Sequence, residues 1–169
     1  MKRSWALFLI VAAAVMDGIL AGGGVDRALI ALPAWRIVGP MGWAAFSQHA
    51  DLGNGRLWYP LWALGGMICS VGAAIILYRD SRATSATRAP VYAAAVFMVG
   101  GLLITLKAAP IMMSINRLGN DPVALQHAFD GFAFWSYIRL GSQFLGWLAN
   151  LWSLVALGSM MNRGGERSA

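Results

Sequence analysis

Three charged side chains stand inside apolar runs: Asp17 in MDGILAGGG, Lys107 in LITLKAAPIMM and Arg139 in FWSYIRLGSQF. A charge in the hydrocarbon of a bilayer costs several kcal/mol unless it is paired or hydrated. Such groups therefore mark either a ligand or reaction site or a salt bridge that locks helices together. Two cations and one anion allow one pair, and Asp17 beside Lys107 is the expected one. The sum is still +1, so one cation must find an anion, a water-filled cavity or the headgroups.

The surrounding sequence says what holds these groups. The chain has 169 residues, of which 59% are hydrophobic and 12% charged. Soluble domains carry about twice that charged fraction. Four apolar stretches reach the roughly 20 residues that cross a bilayer as a helix. They are residues 5–24, 58–78, 90–114 and 132–161. The reading is an all-α integral membrane protein, a single domain over 1–169 built as a bundle of four transmembrane helices. Lys2 and Arg3 before a run that ends in Ala21-Gly22-Gly23-Gly24 also suit a signal peptide. Asp17 interrupts that run, and the first span is read as retained.

Lys2, Arg3, Arg79, Arg82, Arg88, Arg163 and Arg167 fall on one side of these spans. The other side has Arg27, Arg36, Arg56 and Arg117, offset by Asp26, Asp51, Asp121 and Asp130. The positive-inside rule puts both termini in the cytoplasm and segments 25–57 and 115–131 outside. The expected location is the inner (plasma) membrane of a bacterium. The net charge of +6 is thus a topology signal and not a nucleic-acid footprint. The segment 25–57 is too apolar for a solvated linker and reads as lying at the interface, with a short helix in it. Asp121-Pro122 signals a short outer helix carrying His127.

With this topology Asp17, Lys107 and Arg139 each lie seven residues from the expected outer end of their span, Gly24, Ser114 and Phe132. That places all three about 10 Å below the outer surface. On the fourth span Trp135, Arg139, Ser142, Gly146, Asn150 and Ser153 share one face, bordered by Gln143, which should look into the bundle. Gly100 and Ser114 share the face of Lys107. Above this layer stand His49, His127 and Asn116, with Trp35, Trp43, Trp58, Tyr59, Trp62, Trp135 and Tyr137. These aromatics read partly as an interfacial belt and partly as the wall of a vestibule. The histidines lack metal-ligand spacing, and Cys69 is alone in the second span, so no metal or other cofactor is expected.

Four spans, a long first outer segment, and a third helix ending in Pro110-x-x-x-x-x-Asn116-x-Leu118 resemble the anthrone oxygenase-like membrane family. Trp135 and Arg139 are similar to the aromatic-plus-arginine signature of that family's last helix, where the two stand further apart with an Asn between. The resemblance implies oxidation of a planar polyphenol whose CH2 group is acidic. His49 or His127 would then be the base, and Lys107 and Arg139 would stabilise the oxyanion. Asp17 would orient Lys107, Asn116 would donate to a substrate carbonyl, and Trp135 would stack on the ring. The first reading is therefore a cofactor-independent oxygenase or oxidoreductase acting on a lipophilic aromatic, with the lipid bilayer and a homo-oligomer as further partners. The alternatives are a membrane subunit whose charged layer is structural or docks a partner, and a small transporter.

Overall fold

Gly119 ends one long helix and Asp121 starts the next, and between them they show how the local signals are spent. In the computed structural model, which describes residues 2–166 and the side chains of 3–160, the chain is helical almost throughout. The helices are α1 (Lys2–Asp26), α2 (Leu32–His49), α3 (Gly55–Tyr78), α4 (Ser85–Leu118) and α5 (Pro122–Glu166). There is no strand among the described residues. Gly119 takes φ +59°, a left-handed conformation that stops α4. Two residues on, Asp121 Oδ1 accepts the backbone N–H groups of Val123 (2.9 Å) and Ala124 (3.2 Å), with Pro122 in the first turn. This is a helix N-cap.

Three helical runs are long and apolar enough to cross a membrane: Arg3–Tyr78, Ser85–Leu118 and Pro122–Met160. The first is not one rod. Two π turns, Arg27–Ala31 and Ala50–Asn54, join α1 to α2 and α2 to α3. The backbone leaves helical values at Gly39 (φ +82°) and Gly53. The run folds back there, so that α1 packs along α3. Helices α1, α3, α4 and α5 close a ring in which α1 also meets α5, α3 meets α4 and α4 meets α5. Large apolar side chains such as Phe8, Val15, Ile68, Val96, Leu148 and Val155 point outward from it. That is the surface lipid would cover.

Lipid is as apolar as leucine, so helices hold each other through close packing and hydrogen bonds. Glycines make that packing close. A methyl on Gly65 would meet the Met16 sulfur at 2.7 Å, and one on Gly72 would meet Leu9 at 3.2 Å. Gly66 lies against the Asp17 carboxyl so tightly that a methyl group there would overlap Oδ1. Between α4 and α5, Ser142 Oγ donates to the Phe97 carbonyl at 2.7 Å and Gly146 admits Met98. Gly66→Ala should cost about 1–3 kcal/mol through overpacking. Thermal unfolding in detergent checks this against Gly22→Ala, whose added methyl meets nothing within 4 Å.

The two ends of the bundle are stapled differently. At one end Arg88 donates to the carbonyls of Leu77 and Asp80 (3.2 and 2.7 Å), and Arg3 Nε pairs with Asp80 at 2.8 Å. The hydrogen bond from Arg3 holds the Asp80 carboxyl below its ordinary range. A carboxyl depressed in the folded state contributes stability above its unfolded pKa, and that stability is lost on acidification. Asp80→Asn should therefore lower the melting temperature near neutral pH and converge with wild type in acid. At the other end α2 lies across α4 and α5. There Trp43, fully buried, packs edge-on to Phe129 (5.3 Å between ring centroids) and beside Phe132 (5.9 Å).

Several expectations change. Segment 25–57, expected to hold a short helix, is helical almost throughout, from the end of α1 through both π turns and α2 to the start of α3. Trp43 is core rather than belt or vestibule wall, and Trp35 belongs to the same buried cluster while also lining a cavity beside Arg27 and Tyr59. The helix begun at Asp121-Pro122 is not short, because nothing between Pro122 and Glu166 breaks it and the outer helix and last span are one element. The counts from span ends therefore lose their reference points. The charges of Arg163 and Arg167 lie outside the described side chains, as does Lys2.

Candidate functional site

The π turns place the two groups that organise the site. A π turn adds a residue to the helical ladder and re-aims the side chains around it, a device concentrated at functional positions. Arg27 opens the first such turn and Asp51 sits in the second. Arg27 Nη2 is ion-paired to Asp51 Oδ1 and donates to the Tyr59 hydroxyl at 2.9 Å. Its guanidinium also lies 5.2 Å from the ring centre of Tyr59, 5.5 Å from Phe132 and 5.8 Å from Trp35. Aromatic faces stabilise a desolvated guanidinium. Asp51 is 7% exposed, and its Oδ2 has no donor.

Beside this pair α5 presents Arg139. Among the described residues its guanidinium makes no hydrogen bond and no ion pair. It is held near Arg27, Asp51 and Tyr59 and lines two neighbouring cavities with shared walls, besides a small one of about 20 Å³. The larger, about 580 Å³, lies between α3 and α4 and is bordered by Arg56, Met113, Asn116 and Arg117, all exposed. The smaller, about 160 Å³, runs on between Leu20, Ala63, Leu64 and Leu102. Arg27, Tyr59, Pro60, Thr105 and Arg139 line both, so they form the throat between a polar mouth and an apolar shaft. Four arginines against one aspartate leave the walls at +3.

The structure sorts the expected site residues. Arg139 lies at the throat, Gln143 borders the shaft and Asn116 borders the mouth. The inward stripe of α5 carries Arg139 and Gln143, with Gly146, Asn150 and Ser153 buried below, and Asn116 comes from the end of α4. Lys107 is elsewhere. It is exposed on α4 beside Leu103 and Leu106, where its stem can run up to the headgroups. Gly100, seven residues earlier, still faces α5 across from Ser142. The buried face of α4 runs through Met98, Gly101, Ala108 and Met112, and Lys107, one residue from Ala108, stands about 100° round the helix from it. His49 and His127 are exposed and line neither cavity. Trp135 packs on the buried cluster under α2, edge-on to Phe134 at 5.3 Å.

Asp17 pairs with neither cation. Its Oδ2 accepts from Asn150 Nδ2 at 2.7 Å, and Asn150 also donates to Ser70 Oγ at 3.1 Å. Asn150 stands eleven residues beyond Arg139 on α5, about 16 Å along the helix. The three charges therefore do not form one layer.

Sequence reasoning placed Tyr59 among the belt or vestibule aromatics, read Arg27 only as a topology charge and gave Asp51 no role. Arg27 follows directly on an apolar run, and a charge in that position reads as a topology marker. The clue was Asp51 in a segment otherwise too apolar for a loop. Among the described residues no three His, Cys, Asp or Glu side chains gather as metal ligands. No family model, curated protein or solved structure matches the chain.

Proposed function

We propose that this protein is a four-span membrane protein, with both termini in the cytoplasm of a bacterium, whose outward-facing pocket takes up a lipophilic anion from the membrane. The observation that carries this reading is the unpaired guanidinium of Arg139 at the throat of a cavity with apolar walls. A cation kept in such a place without a protein partner is stabilised by an anionic ligand. The ring of α1, α3, α4 and α5 supports four spans. The cluster of Arg3, Arg79, Arg82 and Arg88 at one end supports the orientation. The reaction we attach to this pocket is oxidation of an anthrone- or quinol-like compound by oxygen. Phenolates and enolates of such compounds are planar anions, and Tyr59, Phe132 and the two arginines suit them. With His49 and His127 outside the cavity, the titratable side chain placed to take the substrate proton is Asp51.

A purely structural charged layer is disfavoured, because Asp17 is bonded to Asn150 and Lys107 faces outward. The test is thermal stabilisation of the detergent-purified protein by paired ligands that differ only in charge, such as a hydroxyanthrone phenolate and its methyl ether. The anion should raise the melting temperature and the ether should not. Equal stabilisation by both would remove the role given to Arg139.

A further inference from the structure

Asp17 has no part in the pocket, yet among the described residues it is the most completely buried charge-bearing group, with no exposed surface. It sits where α1, α3 and α5 meet. Ser70 on α3 and Asn150 on α5 are equally buried, and the three side chains form one hydrogen-bonded cluster.

Among the described residues no cation is there to balance a carboxylate. From Ser4 to Val25, Leu57 to Tyr78 and Leu140 to Met160, Asp17 is the sole Asp, Glu, Lys or Arg. Arg27 and Arg139 are ten and eleven residues away along their helices, about 15 Å or more. On α4 the span contributes only Lys107, which faces outward. Cys69 on α3 is the other titratable group within electrostatic reach, and it brings no positive charge.

The hydrogen-bond inventory is unbalanced in the same direction. Both amide hydrogens of Asn150 are used, one on Asp17 Oδ2 and one on Ser70 Oγ. Asp17 Oδ1 and Asn150 Oδ1 are both buried without a donor. Within the cluster, the Ser70 hydroxyl is the one donor left for two bare acceptors. A proton on Asp17 turns one of those acceptors into a donor and removes the charge together.

We propose that the Asp17–Asn150–Ser70 cluster is a proton-binding site within the membrane, in which Asp17 is held as a neutral carboxylic acid. Gly66 presses on Oδ1 and seals it from water. The proton leaves only when the seam between α1 and α3 opens. An ionised Asp17 would place a bare charge in that seam. The bundle is therefore tightest while the proton is bound and loosens as pH rises far enough to remove it.

The experiment is infrared spectroscopy of the full chain in lipid nanodiscs at neutral pH, with aspartate labelled by 13C at the side-chain carboxyl. The wild type should show a protonated-carboxyl C=O band that shifts with the label. That band should be lost in Asp17→Asn. If that variant fails to fold, Asn150→Leu replaces it: removing the bond to Oδ2 should move the band to higher frequency. Carboxylate bands alone, a band that persists in Asp17→Asn, or one unmoved in Asn150→Leu would overturn the proposal. So would a carboxylate band that responds to Na+ but not K+, because the cluster would then be a metal-ion site. None of these outcomes depends on what the arginine-lined cavity binds.

Discussion

Replacing Arg139 with leucine should weaken binding of a lipophilic anion by about 10- to 150-fold while the protein stays folded. A hydrogen bond to a charged group contributes about 1.5–3 kcal/mol net, and each 1.4 kcal/mol is tenfold. Arg139 satisfies no other group among the described residues, so its removal leaves no protein partner exposed to loss. This distinguishes it from a structural arginine, whose removal lowers stability first. Ligand titration by calorimetry, together with melting of the ligand-free variant, reads both quantities. Arg139→Leu melting well below wild type without ligand would make it a packing residue. Arg139→Lys should keep the charge and recover part of the affinity, because an ammonium lacks the planar fork.

Arg27 should behave in the opposite way. Arg27→Met removes the partner of a nearly buried carboxylate whose other oxygen already lacks a donor. Breaking a buried pair from one side costs about 3–5 kcal/mol, because the remaining charge is uncompensated. Both π turns lose their mutual anchor in the same step. Removing both charges, Arg27→Met with Asp51→Leu, should cost far less than Arg27→Met alone. A cycle of the four proteins, followed by unfolding in mild detergent, isolates that coupling. Additive losses would mean that the pair does not organise this end of the bundle.

The outline of the fold was legible because hydropathy and helix signals are local. Four apolar runs became α1, α3, α4 and α5, and Asp121-Pro122 marked a helix start that the structure uses. The stops were harder to read. Segment 25–57 bends at Gly39 and Gly53 while remaining helical, and nothing in its composition separates a bend from a loop. The candidate site was half legible. The inward stripe of α5 follows from helical period alone, and it led to Arg139, Gln143 and Asn150. The pairing of Asp17 with Lys107 failed because depth and direction both depend on where helices begin and how they cross. Asp17 found a neutral amide instead of a cation. Arg27 and Asp51 meet through two π turns, and their contact is set by tertiary geometry that no spacing in the sequence announces.

The most direct test is photolabelling. A lipophilic phenolate carrying a diazirine on its apolar end would be irradiated with the protein in nanodiscs, and the labelled residues found by mass spectrometry. The account predicts labels on the shaft at Leu20, Ala63, Leu64 and Leu102, suppressed by excess unlabelled anion and lost in Arg139→Leu. Labels spread over the outer apolar surface, unchanged by competitor and by Arg139→Leu, would contradict it.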